Sequence, residues 1–370
     1  MFIRDLSVYR LKRKLGVEDL NDLEAALRHR THRDLSPMEF CTDGFVPPMP
    51  AYRGTHALIV GRSELTWHDD ELDFIEREPF MFEGFSNHDH DALVLAFYRE
   101  ERAVVSSDVK RRVQKEVNRI EEDEGRKVYM KERQEIKQAI MAKLMPGLQS
   151  RYYQVPIVIM NNGLVFVGAV GKKAELALSE LREVLGTFPV VPLQYTHPVP
   201  FALTAAAKLQ AQRPRDEALH GFVVADDFQM QQMQEHPAVA RMKNTDVTED
   251  EVQGLLADKV VTHANLLWNE QISFKLDPKF AIRRLKIADS AFEQADGEDD
   301  EDLKGALYAS YMIELDLITK MLADFAQLFG GEVETAGLDD SKEAETPLVL
   351  KNLRNFAVQG NSDDNANSKE

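Results

Sequence analysis

Tyr152-Tyr-Gln-Val-Pro-Ile-Val-Ile-Met160, then Asn161-Asn-Gly163, then Leu164-Val-Phe-Val-Gly-Ala-Val170 sets two runs of β-formers around a turn. Asn and Gly tolerate the positive φ that tight hairpin turns demand, so the stretch predicts an antiparallel hairpin. Directly after it, Lys172–Leu185 reads as an amphipathic helix (Leu176, Leu178, Leu181, Leu185) and meets Gly186, a normal position just past a helix end. Two antiparallel strands followed by an amphipathic helix point to an α+β chain with mostly antiparallel sheets.

The pattern extends in both directions. Phe188–Leu193 is an apolar strand whose Pro189 and Pro192 suit a sheet edge. Ala218–Val224, Lys259–Trp268, Ile272–Leu276 and Ile282–Ile287 read as further strands. Thr248–Leu256 reads as a short helix, with Thr248 as cap and Glu251 completing a capping box. Upstream, Phe2–Leu11, Ala57–Val60, Leu65–His68 and Ala92–Tyr98 read as strands and Asn21–His29 as a helix. The proline-rich Gly44–Pro50 demands a turn or extended connection.

Val104–Leu148 differs. Val109, Val113, Val117 and Ile120 recur at helical spacing, as do Tyr129, Ile136, Ile140 and Leu144, with Gly125 between the runs. This predicts two helices folded into a protruding hairpin, each with a narrow apolar stripe. Glu293–Asp302 is an acidic linker, Leu303–Phe329 a long helix, and Gly330-Gly331 its stop. The implied organisation is an N-terminal α+β region with an insertion (1–103), a helical tip (104–148), a central and C-terminal α+β region (149–331), and a mostly disordered tail (332–370). Within that tail Pro347–Val358 is an apolar exception.

Composition narrows the function classes. The 370 residues are 44 % hydrophobic and 29 % charged, as in a globular protein. No apolar run is long enough for a transmembrane helix. The opening Met-Phe-Ile-Arg-Asp-Leu lacks a signal-peptide pattern, and a single cysteine, Cys41, excludes an internal disulfide framework and any multi-Cys zinc site. A cytoplasmic chain is expected. Lys and Arg number 45 against 63 Asp and Glu, a net charge of −18. Such a chain will not bind polyanions over its whole surface, but charges beyond about 8–10 Å are screened, so local clusters decide.

No catalytic constellation emerges. His88-Asp89-His90-Asp91 has metal-ligand residue types, yet lacks a distant third ligand and equally fits a solvated loop. Gly168-Ala-Val-Gly171-Lys172-Lys173 fails as a phosphate loop at both ends. It leaves two lysines in the first turn of a helix, able to meet a phosphate or simply to face solvent.

Basic groups do cluster. Asp108–Lys143 holds eleven Lys/Arg against eight Asp/Glu, and Arg111, Lys115 and Arg119 make a stripe along one helix face, unless Glu122 or its neighbours pair with them. Lys275, Lys279, Arg283, Arg284 and Lys286 fall within twelve residues containing one acid, Asp277. In that strand Arg284 and Lys286 share one face, Leu285 and Ile287 the other. Arg151 precedes Tyr152-Tyr153, joining a cation to aromatic surfaces.

These pieces, in order, resemble the RdgC family of recombination-associated bacterial DNA-binding proteins. They are Leu6-Ser-Val-Tyr-Arg-Leu, Gly44-Phe-Val-Pro-Pro-Met, Leu144-Met-Pro-Gly-Leu-Gln-Ser-Arg-Tyr, Gly171-Lys-Lys-Ala-Glu, Leu185-Gly-Thr-Phe-Pro-Val-Val-Pro-Leu, Asp258-Lys-Val-Val-Thr and Arg284-Leu-Lys-Ile-Ala-Asp, and the last helix running into Phe329-Gly-Gly. The resemblance spans about residues 2–331. It implies a ring-shaped homodimer around double-stranded DNA, binding without sequence preference, with single-stranded DNA as a further ligand. It also implies antagonism toward the RecA recombinase, association with the nucleoid, no cofactor and no membrane. Arg241 and Lys243 enter as implied DNA contacts, joining Arg151, Tyr152, Lys172, Lys173, Lys275, Arg283, Arg284 and Lys286. Departures are Gln149 where the family has an aromatic, one lysine fewer in Arg241–Asp246, an insertion near 53–89 and an extension after Gly331. Two other readings stand beside this one: a metal-dependent nuclease using His88 and His90, and a protein-interaction module acting on a recombinase without holding DNA.

Overall fold

The computed structural model describes residues 3–12, 23–48, 81–84, 92–160, 162–212, 219–233, 237–292 and 303–333. The predicted strands Ala57–Val60 and Leu65–His68, most of the 53–89 insertion, the His88–Asp91 cluster, the acidic linker Glu293–Asp302 and the tail beyond residue 333 lie outside them.

Two antiparallel sheets form the frame. The first contains β1 (Ser7–Leu11), β2 (Cys41–Val46), β3 (Met81–Gly84), β4 (Ala92–Arg102), β5 (Ser150–Met160), β6 (Leu164–Val167) and β7 (Val190–Pro192). Its order is β2-β4-β5-β6-β1-β7, with β3 also paired to β4. β4 and β5 pair along their full length, from Ala92 opposite Met160 to Arg102 opposite Ser150. The β5–β6 turn uses Gly163 at φ 82°, and Asn162 Oδ1 accepts the Leu164 N–H at 3.0 Å. β7 is an edge strand, where Pro192 is tolerated.

The near-continuous apolar run in β5 follows from burial on both faces. Val155, Ile157 and Ile159 meet Leu93, Leu95 and Phe97 of β4 in a core closed by α1 (Leu23–His29) and by Ala174, Ala177, Leu178 and Leu181 of a later helix, α4 (Lys172–Leu185). Val158 and Met160 point the other way, into a larger core.

That larger core is shared with the second sheet. β8 (Phe222–Gln231), β9 (Val239–Met242), β10 (Val260–Trp268), β11 (Ile272–Leu276) and β12 (Ile282–Ile287) stand in the order β12-β11-β10-β8-β9. Its inner face packs on α5 (Val199–Gln212), α6 (Asp250–Asp258) and α7 (Leu303–Leu328). Phe325 of α7 stacks on Phe222 with centroids 4.4 Å apart, and Trp268 Nε1 donates to Asp324 at 2.9 Å. The chain's beginning ties the sheets together: Leu6 exchanges backbone hydrogen bonds with Ile282, and Leu285 N–H donates to the Arg4 carbonyl at 2.8 Å.

A third, separate cluster joins α2 (Ser106–Glu124) to α3 (Met130–Leu144), where Val109, Val113 and Val117 pack on Ile136, Ile140 and Met141. α2 ends at Gly125, φ 63°, in the left-handed conformation glycine adopts freely.

Three expectations need correction. Tyr129, placed in the apolar stripe, is 76 % exposed. The capping box fails: α6 starts at Asp250 after Glu249, and Asp246 Oδ1 accepts the Thr248 N–H and hydroxyl instead. Gly44–Val46 belongs to a strand, β2, rather than to a connection.

Candidate functional site

The outer face of the second sheet gathers cations from distant parts of the chain. In β10, Val261, Ala264, Leu266 and Trp268 face the core, leaving His263 and Asn265 half-buried on the other side. Register then sets their neighbours. Asn265 stands opposite Lys275, and Lys275 opposite Arg283; His263 stands opposite Gln229, and Gln229 opposite Arg241.

β12 departs from simple alternation in a useful way. Ser273 pairs with Lys286 and Lys275 with Arg283, so Arg284 and Leu285 together oppose Phe274. This is a β-bulge, which bends the strand and re-aims a side chain. Arg284 takes φ 52°, an uncommon left-handed position for a non-glycine residue. Its N–H donates to Asp5 Oδ1 at 3.1 Å, and the Leu285–Arg4 bond holds the next residue. Leu285 therefore returns to the core fully buried, while Arg284 and Lys286 are exposed and Arg283 half-exposed.

Arg241, Lys243, Lys275 and Arg284 line one groove of about 540 Å³, together with His263, Asn244 and Asn265. Asp227 is the acid that lines it. That carboxylate accepts the Asn244 N–H at 3.2 Å and Asn265 Nδ2 at 3.4 Å, so it holds the groove wall. The His263 pKa sits below its ordinary value, first through burial and then through Lys275, with Arg283 and Arg241 adding and Asp277 opposing. Its imidazole thus senses a positive field. Four cations with one engaged acid make a surface for phosphates or other anions.

The remaining predicted residues lie elsewhere. Arg283 pairs with Asp277 at 3.5 Å beside the groove. On α2, Arg111 pairs with Asp108 at 2.6 Å and Arg119 with Glu116 at 2.7 Å and Asp123 at 3.1 Å, so neighbours other than Glu122 neutralise two of the three stripe residues. Lys115 is exposed. Arg151 is exposed at the β5 end next to α2, and Tyr152 stacks on Tyr98 with centroids 6.0 Å apart. Lys172 is exposed in the first turn of α4, and Lys173 Nζ lies 4.0 Å over the Tyr153 ring.

His263, Asn244, Asn265 and Gln229 escaped the sequence reading. The sign for two of them was legible: in Val260–Trp268 the polar His263 and Asn265 alternate with apolar Ala264 and Leu266. Among the described residues no cluster of three His, Cys, Asp or Glu is placed to hold a metal ion, and His88 and His90 lie outside them. No described helix is long and apolar enough to cross a membrane.

Comparison with known proteins adds a family. A model described as "Putative exonuclease, RdgC" matches residues 78–332. The recombination-associated protein RdgC of Pseudomonas aeruginosa is 32 % identical over 335 residues, covering 90 % of this chain and 98 % of that protein. Proteins of the same name from Pseudomonas syringae pv. tomato and Pseudomonas fluorescens are 30 % identical over 341 residues and 33 % identical over 318. These cover 91 % and 85 % of this chain, and 100 % and 92 % of theirs.

Proposed function

Because the chain belongs to the RdgC family, we propose that it binds double-stranded DNA without sequence preference, encircles it as a ring-shaped homodimer, and restrains RecA-dependent homologous recombination. The observation that carries this reading is the groove on the second sheet, where Arg241, Lys243, Lys275 and Arg284 converge in a chain of net charge −18. Segregated charge of this kind suits a ring that turns cations inward and acids outward. Contacts from Lys and Arg to phosphates fix position but carry no sequence information, which accounts for indifference to sequence. Arg283 and Lys286 extend the same face. Arg151, Tyr152, Lys172 and Lys173 supply contacts from the first sheet, and the α2–α3 pair projects as the hairpin tip with Arg111, Lys115 and Arg119 along it. On this reading the protein works at the nucleoid in the cytoplasm, with no cofactor and no catalytic step.

Binding to duplexes of unrelated sequence, titrated over a range of salt, tests it. Similar affinities with a steep fall of log K against log salt are expected, each neutralised phosphate adding about 0.9 to the slope. A slope near zero, or strong preference for one sequence, contradicts it. The family description favours a second reading, an exonuclease, which predicts divalent-metal-dependent loss of nucleotides from duplex ends.

A further inference from the structure

A cleft of about 1090 Å³ opens where α2 and α3 meet the ends of β4 and β5. That volume suits several side chains rather than one ion. Val104, Val105 and Met130 line it with aliphatic surface, Val105 and Met130 largely exposed. Lys110, Lys137 and Arg151 stand around them, and none has an ion pair among the described residues. A polyanion backbone would satisfy this rim and leave the aliphatic surface wet. Filling both calls for a peptide that carries apolar side chains beside carboxylates.

The chain itself supplies such a peptide. In Pro347-Leu-Val-Leu-Lys-Asn-Leu-Arg-Asn-Phe-Ala-Val358, Val349, Leu353 and Phe356 recur at i, i+4, i+7, the spacing of one helix face. Asp339, Asp340, Glu343 and Glu345 lie just before it. The family match ends at residue 332, so the segment lies outside it.

Strand register shows that the reach suffices. Val333 N–H donates to the Gln194 carbonyl, and Leu193 N–H to that of Val8. Gln194 is therefore level with Ser7, which pairs with Val167, itself opposite Ile157. From there Arg151 is six residues along β5 and three strand spacings across the sheet, roughly 25 Å in all. Residues 334–346 span up to about 45 Å when extended.

We propose that Pro347–Val358 docks in this cleft within its own chain, its apolar residues on the valine floor and the preceding acids against Lys110 and Lys137. The test uses the full-length chain with Cys41→Ser and spin labels on Gln138→Cys and Asn355→Cys, read by pulsed dipolar spectroscopy. One narrow distance peak is expected. It persists in excess unlabelled chain and is lost in Lys110→Glu/Lys137→Glu, whose solvent-exposed sites leave the fold intact by circular dichroism. A broad distribution overturns the proposal. So does a peak that fades on dilution, which assigns the cleft to the tail of a second copy. Charge reversal that weakens duplex binding but leaves the peak unchanged makes the cleft a nucleic-acid site, and also overturns it.

Discussion

Replacing Arg284 and Lys286 together by Glu tests the candidate groove where it is most specific. Both side chains are exposed on the outer face of β12, and the bulge that sends them there buries Leu285 between them. If each cation neutralises one phosphate, losing both makes the slope of log K against log salt shallower by about 1.8. At 0.1 M salt the same exponent corresponds to an affinity loss of about 60-fold, before any repulsion from the new carboxylates. Fluorescence anisotropy on two unrelated duplexes at two salt concentrations measures both quantities, and a melting curve verifies the fold. Leu285→Glu is the control. It leaves an unpaired charge in the core and should cost about 3–5 kcal/mol of stability. Unchanged DNA affinity in a folded double variant would remove β12 from the interface, and an affinity loss confined to one duplex would refute phosphate contact.

Arg284→Gly should raise stability by about 0.5–1 kcal/mol, because glycine relieves the left-handed φ, while lowering duplex affinity; paired melting and binding curves check it. Binding should tighten as pH falls from 7 through 6, since phosphates offset Lys275, Arg283 and Arg241 and raise the depressed His263 pKa, and His263→Gln should flatten that dependence. The sign for stability is opposite. The folded His263 pKa lies below the unfolded value, so the unfolded chain binds the proton first and stability declines as pH drops below about 6.5. Val113→Asp should open the α2–α3 pair, whose apolar cluster is separate, while both sheets keep their hydrogen-exchange protection.

Local chemistry explains which elements were legible. Lys172–Leu185 matches α4 end to end because Gly171 and Gly186 bracket a clear apolar stripe. The β5–β6 hairpin and β12 were likewise marked by turn residues and alternation. α5 went unread because Val199–Gln212 is rich in alanine and its exposed face carries Phe201 and Ala205 opposite the buried Ala202, Leu203, Ala206 and Ala207, so no polar face shows its period. β9 is four residues long, too short for a pattern. The individual basic residues of the groove were readable, but not their convergence. Arg241, Lys275 and Arg284 meet only through cross-strand register, and a bulge shifts that register in a way no local motif announces. The α2 stripe shows the reverse case, since Asp108, Glu116 and Asp123 sit at the i−3 and i+4 positions that pair helical charges.

Retention on DNA of different topology tests encirclement most directly. The chain is loaded on a closed circular duplex and on the same duplex cut once, and both are challenged with salt high enough to screen phosphate contacts. A closed ring remains on the circle as a dimer and slides from the ends of the cut molecule. Equal release from both would contradict the ring, leaving a surface that binds phosphates without enclosing the duplex.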